Sequence, residues 1–176
     1  MLSNIYRYIG DFWSTISVQS NGYGGLSMEF YSSLQVAQEH LNLATPEKNT
    51  LTPMQLIKLT YLSHGWMLAV HNRPLLSESV EAWPYGPVLP KLYKKIKKFR
   101  SQPVMARLSD DPVVDVDALD VIRQVYKLYG HLSGLRLSTL THEEGTPWHF
   151  TWHSRGRSGT ISNDLIEGHF KTLAAE

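Results

Sequence analysis

The chain has 176 residues, a formal net charge of +1 and no cysteine. This length favours one domain that buries a proper core without disulfides or metals. The lack of cysteine excludes disulfide frameworks, thiolate metal sites and cysteine nucleophiles. The near-neutral charge gives no global attraction to nucleic acid or anionic lipid. No apolar run approaches the roughly 20 residues of a membrane span, and the first residues do not resemble a signal peptide. We therefore expect a cytoplasmic protein without a membrane partner.

The first 27 residues differ from the rest. Apolar residues at helical spacing predict a short amphipathic helix, formed by Ile5, Ile9, Phe12, Trp13 and Ile16. A glycine-rich stretch over 19–27 then has the composition of a flexible linker. Residues 1–27 are either an upstream extension before a natural start at Met28 or an N-terminal arm, and 28–176 form the main domain.

Capping signals and apolar periodicity predict five or six helices around one central helix. Thr52, Pro53 and Gln55 carry the clearest signal, because Thr52 and Gln55 form a capping box and proline suits the first helical position. The helix that follows is apolar on most sides and ends at Asn72 and Pro74, so it is predicted to be the buried centre. The other helices are predicted to begin at Ser32 or Ser33, at Pro90, at Asp115 or Asp117, at Ser133, and at Ser162 or Asn163.

Two segments are predicted not to be helical. Residues 79–87 contain two prolines and a glycine close together, which predicts a short extended piece or hairpin with a turn. Residues 145–148 are interpreted as a turn, and 149–159 as a basic loop or hairpin. The predicted fold is a mainly α, single compact domain with a short β-hairpin element.

Signatures of catalysis are weak. The chain has no phosphate-binding loop and no Gly-x-Ser-x-Gly elbow. His142, Glu144 and His153 are the core of the only group that suggests nitrogen and carboxylate ligation of zinc. This group lacks a His-Glu-x-x-His helix and is interrupted by Pro147. We expect no metal and no cofactor, and keep a small metal-dependent hydrolase centred on His142 as the less favoured alternative.

Charged and aromatic side chains suggest a protein-binding surface instead. The helix from Pro90 is predicted to bury Leu92, Ile96 and Phe99 and to expose its basic residues. Turns hold aromatic residues of the kind found in interface hot spots. The candidate partner-binding residues are Trp83, Tyr85, Lys91, Lys94, Lys95, Lys98, Arg155 and Arg157. A solvated face remains the alternative for the basic helix, and nucleic acid is not favoured because the rest of the chain is not basic.

Three segments resemble the Panacea domain, also called the SocA-like or phage-associated GepA-like family. They span residues 51–66, 81–93 and 140–148, within a resemblance that covers about 31–173. The residues that match the family pattern are Lys58, Leu59, Tyr61, Ala82, Trp83, Tyr85, Gly86, Pro87, Val88, Thr141, His142, Glu144, Pro147 and Trp148.

The resemblance implies a small helical domain of bacterial, prophage and phage genes that acts as a toxin–antitoxin system antitoxin. It implies direct binding to a cognate toxin and no catalysis. The protein is expected to form a homo-oligomer or a hetero-oligomer with the toxin. A phage or prophage regulator that binds host proteins is the alternative. The matched residues are expected to build a shared scaffold, with Gly86 fixing a turn and His142 holding the loop that follows it.

Overall fold

The computed structural model describes residues 30–175, so the predictions for 1–27 lie outside the described residues. Within that range the chain forms seven α-helices, three short strands and one 3-10 turn. The helices are Ser33–Ala44 (α1), Pro53–His71 (α2), Pro90–Ile96 (α3), Val116–Tyr129 (α4), Gly134–His142 (α5), Pro147–Arg155 (α6) and Asn163–Ala175 (α7). The strands are Val80–Trp83 (β1), Gly86–Val88 (β2) and Gly159–Ile161 (β3), and Lys97–Phe99 is the 3-10 turn. This mainly helical architecture with a short hairpin confirms the predicted fold class.

Helix α2 is the centre of the domain. It is buried continuously from Leu56 to Leu68, and it contacts α1, α3, α4, α5, α7 and β2. The predicted capping box is present, because the Thr52 hydroxyl accepts from the Gln55 N–H and the Gln55 side chain accepts from the Thr52 N–H. Although α2 has 19 residues, neither it nor another helix within 30–175 is long and apolar enough to cross a membrane.

The three strands form one antiparallel sheet in the order β2-β1-β3. Side chains along β1 alternate, with Val80 and Ala82 buried and Glu81 and Trp83 partly exposed. Because strand side chains alternate between the two faces, the sheet covers the helical core with one face and turns the other outward.

Helix α6 corrects the prediction for residues 145–159. Pro147 is its first residue, and the Thr146 hydroxyl accepts from the His149 N–H. The pair Thr146-Pro147, interpreted as part of a turn, is therefore a helix start of the same kind as Thr52-Pro53. Gly145 lies in a turn as predicted, but within 149–159 only the segment between α6 and β3 is a loop. The number of helices in the described range is therefore seven rather than five or six.

The closing helix α7 packs on α2 at a glycine. A Cβ atom at Gly65 would lie 2.6 Å from Cδ2 of Phe170, so only glycine admits the Phe170 ring at this distance. The same ring meets the Trp66 ring edge-on, with centroids 5.2 Å apart. His64 Nε2 lies 3.0 Å from Asn163 Oδ1, which ties α2 to the first residue of α7. Gly65 therefore sets the depth at which α7 is seated.

We expect Gly65→Ala to destabilise the fold by about 1–3 kcal/mol, because the added methyl group overpacks the contact with Phe170. The double variant Gly65→Ala/Phe170→Leu should lose less than the sum of the two single variants. Urea unfolding of the four proteins measures this coupling. Simple additivity would show that the two side chains do not compete for the same space.

Candidate functional site

The turn between β1 and β2 is held by side chains from three helices. Three of its backbone carbonyls, at alternate residues, each accept a hydrogen bond from a different helix. The pairs are Trp148 Nε1 to Trp83 O at 2.7 Å, Ser138 Oγ to Tyr85 O at 2.8 Å, and Lys58 Nζ to Pro87 O at 2.9 Å. We call the segment Trp83–Pro87 the anchored turn. Because α2, α5 and α6 all donate to it, its position is fixed relative to the whole helical core.

Lys58 is the unusual member of this set, because its side chain is fully buried. Burial lowers its pKa from the usual 10.5 to about 7, since the charged amine is removed from water. No carboxylate within the described range forms an ion pair with it. At neutral pH the amine of Lys58 is therefore partly deprotonated. In both forms it can donate a hydrogen bond to the Pro87 carbonyl.

Gly86 allows the turn to approach this amine. Its φ of +98° is one that residues with side chains rarely adopt. A Cβ atom there would lie 2.6 Å from Lys58 Nζ and 3.2 Å from Thr141 Oγ1. Three separate parts of the chain thus meet at one buried point. They contribute the family-pattern residues Lys58, Gly86 with Pro87, and Thr141.

The side chains that the anchored turn presents are aromatic. Tyr85 is 70% exposed, whereas Trp83 is partly buried. The Trp83 ring meets the Tyr93 ring of α3 edge-on, with centroids 5.0 Å apart, and its Nε1 donates to Glu81 Oε2 at 2.8 Å. The anchored turn thus exposes the side chain of Tyr85 next to Trp83, whose ring is held by Glu81 and Tyr93.

The basic residues predicted to bind a partner differ in whether they form an ion pair within the described residues. Lys91 Nζ lies 3.0 Å from Glu78 Oε1, so Lys91 already has an intramolecular partner. Lys94, Lys95, Lys98, Arg155 and Arg157 are exposed, and no ion pair to them occurs within residues 30–175. Lys98 Nζ lies 5.3 Å from the centre of the Phe99 ring.

The three apolar residues expected to face inward from this segment differ in how deeply they are buried. Leu92 and Ile96 are buried as predicted, but Phe99 is only partly buried. Phe99 is the last residue of the 3-10 turn that follows α3, and it packs against the core.

Among the described residues, the ring of His142 makes no hydrogen bond to the loop that follows it. Its Nδ1 lies 2.5 Å from Ser138 O in the preceding turn of its own helix, and its ring meets Trp148 edge-on at 5.2 Å. The loop is instead closed by Thr146, whose hydroxyl donates to Glu143 O at 2.8 Å. The role expected of His142 therefore belongs to Thr146.

The candidate ligand group is not assembled either. In the described range, no three His, Asp or Glu side chains lie close enough to hold one metal ion. Glu144 and His153 are exposed, and the ring nearest to His153 is that of His149 at 4.5 Å. The geometry that the hydrolase alternative requires is thus not found between residues 30 and 175.

Ser138 holds the anchored turn, and it was not identified from the sequence. Its hydroxyl anchors the Tyr85 carbonyl across 53 residues of sequence. A serine within a helix carries no local signal for such a contact. The one available hint is its position four residues before His142, which places both on the same helix face.

Lys58 predicts a rise of stability with pH. Its pKa is about 7 in the folded protein and near 10.5 when unfolded, so the unfolded chain binds more protons between these values. The free energy of unfolding should therefore increase by about 2 kcal/mol as the pH rises from about 7 to about 9. Thermal unfolding across this range should show the rise for the wild type and for Lys127→Met, an exposed control. In Lys58→Met the rise should be absent, and its persistence there would assign it to another group.

Gly86 predicts a backbone effect. We expect Gly86→Val to destabilise the fold by about 1–3 kcal/mol, because valine is strained at this positive φ. Gly168→Val is the control, since no atom lies within 4 Å of a Cβ at Gly168 and its φ is not positive. The control should stay within about 0.5 kcal/mol of the wild type in urea unfolding. Equal losses in both variants would remove the special requirement at Gly86.

The part of the chain that contains the anchored turn and its three donors is similar to known proteins. The family described as "Antitoxin SocA-like, Panacea domain" matches residues 56–149. Antitoxin SocA of Caulobacter vibrioides (strain NA1000 / CB15N) is 28% identical over 109 residues, which cover 56% of this chain and 58% of that protein. The chain thus spans less than two thirds of this relative's length. No solved structure matches the chain significantly. Because the family match covers more than half of the 176 residues, the chain belongs to the SocA-like Panacea family.

Proposed function

We propose that this protein is a non-enzymatic antitoxin that neutralises a cognate toxin by direct contact in the cytoplasm. Its family is that of SocA-like antitoxins, which makes a toxin the expected kind of partner. The single observation that carries the mechanism is the anchored turn, which three helices hold while Tyr85 stays 70% exposed.

A fixed turn of this kind favours protein binding on energetic grounds. Binding orders flexible side chains and loops at an entropic cost, and a surface that is already ordered avoids much of that cost. Tyrosine and tryptophan are also the residues most often found at the energetic centres of interfaces. Tyr85 and Trp83 combine both properties, because their backbone carbonyls are bonded to α5 and α6.

The family-pattern residues divide between scaffold and surface. Lys58, Gly86, Pro87 and Thr141 are buried and position the turn. Tyr85 is exposed and depends on them for its position. We infer that the buried set is the shared scaffold and that the exposed residues around Tyr85 determine which toxin is bound, in a hetero-oligomer of antitoxin and toxin.

Genome context provides the decisive experiment. The product of each short gene beside this one is expressed alone and then together with this protein, and growth is measured. We expect one product to arrest growth alone and to be tolerated when this protein is present. It should also co-purify with this protein. If no neighbouring product is toxic, or if rescue occurs without association, the proposed function is wrong.

Tyr85 provides the residue-level prediction. We expect Tyr85→Ala to weaken toxin binding by about 10–100-fold, as for a central interface tyrosine, and to leave the melting temperature unchanged. Phe150→Ala is the matched control, since Phe150 is an aromatic residue that is 56% exposed on α6. Calorimetric titration of toxin into each variant gives the affinities. Comparable losses in both variants would show a nonspecific aromatic effect.

A further inference from the structure

The outer face of the small sheet continues the aromatic surface of the anchored turn. Along β1, Glu81 and Trp83 are partly exposed, and Thr160 of β3 pairs with Glu81 and is exposed. Tyr93 leans on Trp83 from α3, and Tyr85 projects from the end of the hairpin. We call the area formed by Trp83, Tyr85 and Tyr93 the sheet-end surface.

One group of cations adjoins this surface through α3. Lys97 comes four residues after Tyr93, a spacing at which side chains are neighbours on a helix, and its backbone N–H donates to Tyr93 O. Lys94 is the next residue after Tyr93 in the chain and adds a second positive charge to this helix. Both lysines are exposed, and no ion pair to either occurs within the described residues. Lys91 is excluded from this group because Glu78 already neutralises it.

A second group of cations lies beside the end of β1, on the edge of the sheet that β3 forms. Gly159 pairs with Ala82, and the Ser158 N–H donates to Ala82 O at 2.8 Å. The loop that joins α6 to β3 therefore lies beside the end of β1, next to the anchored turn. Arg155 and Arg157 flank Gly156 in this loop and are exposed. Two groups of cations that are far apart in sequence thus contribute positive charge near one aromatic area.

We propose that the sheet-end surface binds an acidic segment of the partner protein, with its carboxylates between the α3 lysines and the two arginines and an apolar side chain on Tyr85. The argument is charge complementarity. Four cations that have no ion-pair partner among residues 30–175 lie on the two elements that adjoin the aromatic area, whereas the chain as a whole carries a net charge of only +1. Such local charge attracts an oppositely charged partner and speeds its association.

An acidic protein segment fits this surface better than nucleic acid does. Glu81 lies within the area and accepts from Trp83 Nε1, so a carboxylate stands where a phosphate backbone would have to pass. A protein segment can place an apolar or hydrogen-bonding side chain there instead. Glu81→Gln removes this charge and retains an oxygen acceptor for Trp83, which makes it a specific probe of the proposal.

The inference rests on the proposed function for the identity of the partner, but its test does not need the toxin. The full chain is titrated by fluorescence anisotropy with a labelled peptide rich in Glu and Asp around one Phe. A Lys-rich peptide of the same length and a single-stranded oligonucleotide of matched charge are the comparison probes. Lys94→Glu/Lys97→Glu and Arg155→Gln/Arg157→Gln test the two groups of cations. Lys48→Glu/Lys127→Glu, which changes exposed lysines on other elements, is the matched control.

We expect each of the two test variants to weaken binding of the acidic peptide about fivefold to tenfold and the control about twofold or less. Glu81→Gln should tighten binding about twofold, and high salt should reduce all these differences. Thermal unfolding confirms that each variant is folded. The inference is overturned if the test variants bind like the control, if the Lys-rich peptide binds equally well, or if the oligonucleotide binds more tightly and is lost with the same variants.

The two proposals fail separately. If the wild type does not rescue growth from any neighbouring gene product, the antitoxin function is wrong whatever the peptide does. If rescue succeeds while the peptide ignores both groups of cations, the acidic-segment inference alone is wrong.

Discussion

The structure depends on satisfying the backbone of one turn. A buried carbonyl without a donor costs free energy comparable to a lost hydrogen bond, and the anchored turn brings three of them against the helical core. The donors come from α2, α5 and α6, so the three carbonyls are all paired only when these helices are packed together. Conversely, the turn joins helices that are distant in the chain. The same three hydrogen bonds therefore hold Tyr85 in its exposed position and contribute to the stability of the core.

Lys58 shows how far this requirement overrides ordinary composition rules. A lysine is among the residues least often buried, because removing its charge from water is costly. Here that cost lowers its pKa to about 7, and the amine still serves the Pro87 carbonyl. His40 and His64 follow the same principle, with pKa values lowered by burial to about 3 and about 4. The core thus holds several polar groups in their neutral or partly neutral forms.

The local features of the fold could be predicted from the sequence, whereas the long-range contacts could not. The starts of α1, α2 and α4 were predictable, because each depends on a side chain that bonds to the backbone three residues ahead. Helix α6 was not predicted, since the glycine before Thr146 and the short apolar face around Trp148 are also typical of a turn. The aromatic turn was predicted from its prolines and glycine. Its donors Lys58, Ser138 and Trp148 were not, because no local pattern encodes which helices will meet it.

The contact between Gly65 and Phe170 bears on where this domain can be divided. The family match ends at residue 149, whereas the ring that covers Trp66 and the amide that pairs with His64 both belong to α7. A fragment trimmed to the matched segment would expose the surface of α2 that Phe170 covers, and His64 would lose one of its two hydrogen-bond partners. Strand β3, which completes the sheet beside Trp83, would be lost with it. The segment by which the family is recognised is thus shorter than the unit that encloses its own core.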